Sequence, residues 1–541
     1  MRYRSTVVMI CLLLGGTLPV YAAELGRVDF KASGSAAAQA PFQRGVAALH
    51  NFWYDEAADA FREAQKIDPQ LVLAFWGEAM TYNHPVWGQQ DQDAARAALA
   101  RLASTAEERA AKAPTEREKA WLAAVETLYG DGDKPARDRA YAEAMRRLHE
   151  RFPEDPEAAI FYTLSLIGPA LTGGESSAGR ERDLMQAAAI LEELVDRNPE
   201  HPGVLHYLIH AYDDPVHAPL GLRAARTYSQ VAPAANHALH MPSHIFVQLG
   251  RWPDVAASNE AAWAASAEWV KRRGLEAEKR DFHSLSWLAY AYVQQGRLHK
   301  AEEVVEIARR SAAESDAQRI AWALEGMQAR YQIETRTWSR ERVAAAEGKE
   351  PEGHCGGEMK HPAASGAGLM AQGLGAARAG DLAIAESALA GLRALNAGKE
   401  ETYLTLPAKV METEIAALVL LAQEKRDEGL AKLREAVELE ERLPPPSGPP
   451  EPMKPAHELY GEILLDLDKP DEAAVQFRKV LLRMPNRSAA LLGAARAAVR
   501  LGDRDAARGF YAALAANWKD ADTGLAELAE VRAFLNGVPA R

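Results

Sequence analysis

Apolar and small residues recur along most of the chain three and four positions apart, the spacing of one helix face. Each run ends at glycine or proline. Tyr54, Ala57, Phe61 and Ala64 share a face, and Pro69 stops the run. Residues 283–310 predict two helices about a turn at Gly296, with Ala301 in the second. The clearest pattern is late: Gly461, Ala473, Phe477, Val480 and Pro485, then Gly502, Ala507, Tyr511 and Leu514. Small residues let two helices approach, large ones fill the gap, and proline ends the second helix. Further helices are predicted at 73–87, 115–151, 184–197, 202–213, 236–249 and 254–272. Residues 171–183 read as a loop, whose glycines lack the lysine of a phosphate-binding loop. No window alternates in the manner of a strand, so almost no sheet is expected.

His206 and His210 sit four apart, His240 and His244 sit four apart, and the second pair follows the first by 34 residues. A helix puts residues i and i+4 on one face. Thirty-four residues is the period of the tetratricopeptide helix-turn-helix repeat. The chain resembles that family over most of 40–535, most strongly at 41–84, 184–312 and 455–515. The block His240-Met241-Pro242-Ser243-His244-Ile245-Phe246 is similar to one seen in a subset of exported bacterial members. The resemblance implies an all-α, right-handed superhelical solenoid. Its concave groove would be lined by the first helix of each pair, at repeat positions 2, 5, 9, 12 and 13.

The expected organisation is a signal peptide at 1–22, a flexible lead-in at 23–40 and an N-terminal and central solenoid at 41–344. A Gly/Pro-rich loop at 345–367 and C-terminal repeats at 368–541 follow. A rigid proline-rich connector, 443–455, lies among the last repeats. Arg2 and Arg4, the apolar stretch 7–16 and the Val20-Tyr21-Ala22 site carry the export signature. They predict a periplasmic or secreted protein with no membrane-spanning segment after cleavage. Of two cysteines only Cys355 would survive, which excludes an internal disulfide. Hydrophobic residues make up 48% of the 541 and charged residues 26%, which excludes global disorder. A net charge of −13 argues against nucleic-acid binding.

On the family register His206 and His240 take position 5, His210 and His244 position 9, and His237 and His283 position 2. Asp213 and Asp214 fall on positions 12 and 13. Six of the eight histidines between 201 and 283 therefore face the implied groove. The leading reading is an exported scaffold whose groove binds a protein, peptide or small-molecule ligand. The alternative is a metal-binding protein or metalloenzyme holding zinc, copper, iron or nickel through His206, His210, His237, His240, His244 and His283. Asp213 or Asp214 would add a carboxylate or orient a ligand ring. His84 ends a helix at the groove mouth, Glu78 reads as a surface acid, and His217 belongs to a turn. His354, Cys355, Met359 and His361 make a second soft-ligand cluster in the glycine-rich loop. Ser243 lacks a nucleophile elbow. Trp76, Trp87, Trp252 and Trp287 read mainly as packing residues.

Overall fold

The structure is a computed structural model and describes residues 24–172, 177–338, 366–402 and 404–537. The chain is an all-α solenoid of antiparallel helix pairs. The only strands among the described residues are Asn83–His84 and Gln89–Gln90, a two-residue ladder with Asn83 opposite Gln90. One packing device recurs at both ends of the molecule. Phe61 lies between Gly45 and Gly77, and Phe477 lies between Gly461 and Gly493. A Cβ on Gly77 or on Gly493 would meet the phenylalanine ring at 2.3 Å. Each ring wedges three successive helices together, and only glycine lets the outer two come close enough.

Turns inside the helix pairs need a left-handed residue. Glycine supplies it at Gly250, Gly296, Gly380 and Gly502. The first turn instead uses Phe52, at φ 52°. A bulky residue there stores about 1–3 kcal/mol of strain, a cost met mostly at functional positions.

Four expectations are corrected. The lead-in is packed rather than flexible from Glu24 onward. Leu25 and Phe30 are buried, and Phe30 sits among Phe42, Trp76 and Trp121. The helix predicted over 236–249 is two helices, Asn236–His240 and Pro242–Gln248, because Pro242 has no N–H to continue the ladder. Glu78 is buried, not superficial, and is held by Arg62, Arg101 and Gln65. The loop at 171–183 is shorter than predicted, since helices run to Thr172 and from Ser177. The signal peptide and the His354–Cys355–Met359–His361 cluster lie outside the described residues. No helix among those described is long and apolar enough to cross a membrane.

The superhelix closes on itself in two places. At one, the first turn meets the long helix Trp252–Arg273: Trp53 packs edge-on against Trp269, whose indole donates to Glu56 at 2.8 Å. At the other, the C-terminal repeats fold back on the central ones. The Trp252 indole donates to the Asn486 carbonyl at 2.9 Å, Ser488 N–H to the Gln294 side chain at 2.9 Å, and Asp522 N–H to the Gly296 carbonyl at 3.0 Å. The proline-rich stretch is carried across the central repeats as a strap. Gln248 Nε2 donates to the Pro446 carbonyl at 3.0 Å, and Gly448 packs against the Trp287 ring.

Candidate metal centre

Pro202–Ala211 supplies His206 and His210, the broken pair of helices supplies His237, His240 and His244, and Phe282–Gln294 supplies His283. All six histidines come together as two triads, His206–His210–His237 and His240–His244–His283. Within each triad one ligand atom per ring lies within 4.8 Å of the others. His206 Nε2 is 3.1 Å from both His210 Nε2 and His237 Nε2. His240 Nε2 is 3.1 Å from His244 Nε2. Two imidazole nitrogens on one tetrahedral ion would stand about 3.3 Å apart.

The hydrogen bonds at the far side of the rings decide where the protons are. His206 Nδ1 lies 2.7 Å from the His50 carbonyl, which can only accept. His206 Nδ1 therefore donates, and its Nε2 is a bare lone pair. His240 Nδ1 donates at 2.7 Å to Asn259 Oδ1, whose orientation is set by Nδ2 donating to the Val255 carbonyl. His244 Nδ1 donates at 2.7 Å to Asp213 Oδ2, and Gln248 Nε2 donates to the other carboxylate oxygen at 3.0 Å. The His240 and His244 lone pairs thus face each other. A bridging proton relieves that contact only by making one of the two rings an imidazolium. At His206 it relieves one neighbour of two, because a ring nitrogen accepts one in-plane hydrogen bond. A cation relieves all of them.

Burial shapes the same choice. His206 and His240 are 0% and 1% exposed. Desolvation pushes the His206 ring down to about 3 and, partly offset by Asp281, the His283 ring to about 4. Burial, then the neighbouring histidines, holds His210, His237 and His240 well below the usual imidazole range. Burial favours the neutral form of these five rings, the form that ligates metals. Aromatic rings close the surroundings. Phe52 stands 4.3 Å from His206, Trp87 5.8 Å from His237, and Trp287 4.6 Å from His244. Tyr228 stacks on His206 at 5.2 Å and donates its hydroxyl to Asn51.

The six histidines that the register puts on one face do come together, on a face that is covered rather than an open groove. The first turn and the strap cover it. Asp213 orients His244 and is not part of either triad. Asp214 is not at the site: it binds His217 at 2.6 Å and caps the following turn. His84 does not end a helix: the helix stops at Met80, and His84 lies in the two-residue strand, stacked on Tyr54 at 3.9 Å with Nε2 on the Thr81 carbonyl.

A third cluster, His50–Glu157–His201, carries no sequence signal, since its members lie in three separate repeats. It differs from the triads in being satisfied. His201 Nδ1 accepts from Val204 N–H, so its Nε2 donates to Glu157 at 3.0 Å. His50 Nε2 donates to the other Glu157 oxygen at 2.8 Å, and its Nδ1 accepts from Tyr207 at 3.0 Å. No imidazole lone pair is left for a metal. The cluster instead fixes the residue whose carbonyl holds His206.

No family model and no curated protein matches the chain. Solved structures that it resembles include yeast Tom70, at 12% identity over 93% of this chain and 95% of that one, with a TM-score of 0.27. The P58(IPK) TPR domain matches at 14% identity over 71% and 99%, with a TM-score of 0.20. IFIT1 matches at 12% identity over 82% and 90%, with a TM-score of 0.35. These superpositions are loose.

Proposed function

We propose that the protein is a metal-binding protein of the metalloenzyme type, holding one transition-metal ion in each histidine triad. The observation that carries this is the convergence on His206, whose single Nε2 lone pair faces two further imidazole nitrogens at 3.1 Å. Zinc, copper, iron and nickel all accept imidazole. Three protein ligands per ion leave a position open on each, the arrangement of catalytic rather than structural sites. The enclosed surface weighs against a long peptide in the central groove, since the strap already lies across it. The export signature adds that the centre works in the periplasm or outside the cell. The solenoid is then the scaffold that spaces the four helices carrying the histidines.

The test is a metal count on chain purified without an affinity tag, before and after reconstitution. Two ions per chain are expected. Changing His206 and His240 together to Ala should remove metal with helicity retained. Absence of stoichiometric metal after reconstitution with each of the four candidates would sink the reading.

A further inference from the structure

The geometry points to a dinuclear copper centre that takes up dioxygen between its two ions, a reading that rests on the two-ion site proposed above. The donors are the first reason. Both triads consist of imidazole nitrogens alone, with no carboxylate and no thiolate. Paired iron and manganese ions in helical proteins are instead held by glutamates. A site of neutral nitrogen donors suits copper, which also stands highest in the general affinity order of divalent metals.

Charge is the second reason. Six neutral rings bring no negative charge to the ions. Two carboxylates act directly on the ligand rings. Asp213 binds His244 Nδ1, and Asp281, held by Ser284 and Asn236, lies beside His283. Two monovalent ions are balanced by those two charges. Two divalent ions would leave two positive charges over among Phe52, Trp87 and Trp287, and burying uncompensated charge is costly. Of the four candidate metals, copper alone has a readily reached monovalent state.

Dioxygen fits this constraint. Each Cu(I) gives up one electron, and O2 takes both, keeping its O–O bond and binding as a dianion to the open position on each ion. The ions go from a total of +2 to +4, and the bound dianion returns the sum to +2. No proton is needed, and the net charge of the buried site does not change. The triads lie side by side for such a bridge: the His210 and His244 rings are 6.0 Å apart and the His237 and His240 rings 6.1 Å. The aromatic cover admits a small neutral molecule more readily than an ion.

The test uses the full chain loaded with Cu(I) without air and then titrated with O2. Two coppers per chain, one O2 taken up per chain and a new near-ultraviolet charge-transfer band are expected. The band should fade under vacuum or on adding reductant. Two coppers with no O2 uptake would overturn the dioxygen reading and leave the two-ion site standing. Zinc retained against excess Cu(I) would overturn the copper assignment and the dioxygen reading with it, and leave the two-ion site standing. Failure to hold two ions of any metal would remove both readings. His283→Gln should bind one copper and lose O2 uptake with helicity unchanged. If that variant does not fold, His237→Gln, on the less buried ring of the other triad, makes the same test.

Discussion

His206 and His237, 31 residues apart, bring their Nε2 atoms to 3.1 Å although the one proton of the His206 ring is committed to the His50 carbonyl on its other side. That relationship makes the tautomers of the site testable, because each orienting acceptor can be changed without touching a ligand.

Asp213→Asn replaces a pure acceptor with a group that can donate. The His244 ring then loses its preference for a proton on Nδ1. Metal affinity of the second triad should fall about 10–100-fold, the usual cost of losing a ligand-orienting partner. Calorimetric metal titration checks this. Unchanged affinity in both triads would mean that Asp213 does not set the tautomer.

Asn259→Leu removes the acceptor for His240 and leaves a buried N–H unpaired. The metal-free protein should lose about 1–3 kcal/mol in a denaturant titration. Asn259→Asp keeps an acceptor and should retain most of the metal binding that the leucine variant loses.

Glu157→Gln takes the anion from between His50 and His201 and turns one of its oxygens into a donor facing an imidazole N–H. Breaking a buried charged cluster from one side costs about 3–5 kcal/mol. Tm should fall while the metal count stays at two. A count that dropped with the fold intact would show that this third cluster is itself a ligand set.

The metal-free chain should be acid-labile. An unfolded histidine takes up its proton near pH 6.5, whereas folded His283 resists to about 4 and folded His206 to about 3. Between those values the unfolded state binds more protons, so stability rises with pH. The contribution is complete above about 6.5 and is lost as the pH falls through the window below it. Tm in the presence of a chelator should be level above neutrality and decline steadily from pH 6.5 to 4. His206→Gln should flatten that decline. A wild-type profile with no slope there would contradict burial of neutral rings.

Gly448→Ala places a Cβ 2.3 Å from the Trp287 ring. The strap must lift or shift. A chelator should then strip metal faster than from the unaltered chain, with little change in equilibrium affinity. Equal stripping rates would mean that metal leaves by another route.

The helix pairs were legible because their determinants are local. The glycines and phenylalanines of the wedges recur at fixed spacing, four of the six histidines follow from a 34-residue offset, and the repeat register adds His237 and His283. Enclosure was not legible, because it depends on residues far apart in the chain: Phe52 against His206, and Gly448 against Trp287. The roles of the aspartates needed coordinates too. Asp213 and Asp214 are adjacent, and only the side-chain directions assign one to His244 and the other to His217. His50, Glu157 and His201 have no common period, and they meet only when three repeats pack.

The strap also orders events in time. Every ligand histidine precedes residue 284, whereas the covering stretch is 443–455. A chain synthesised or threaded from its N-terminus completes both triads while the segment that will roof them has not yet emerged. On the proposed two-ion reading, ions that arrive during that interval meet an uncovered site and are then sealed in by the last repeats. Ions that arrive later have to wait for the strap to open. Chain order would in this way make loading fast and loss slow, so the metal content of the mature protein would record what was present at its birth.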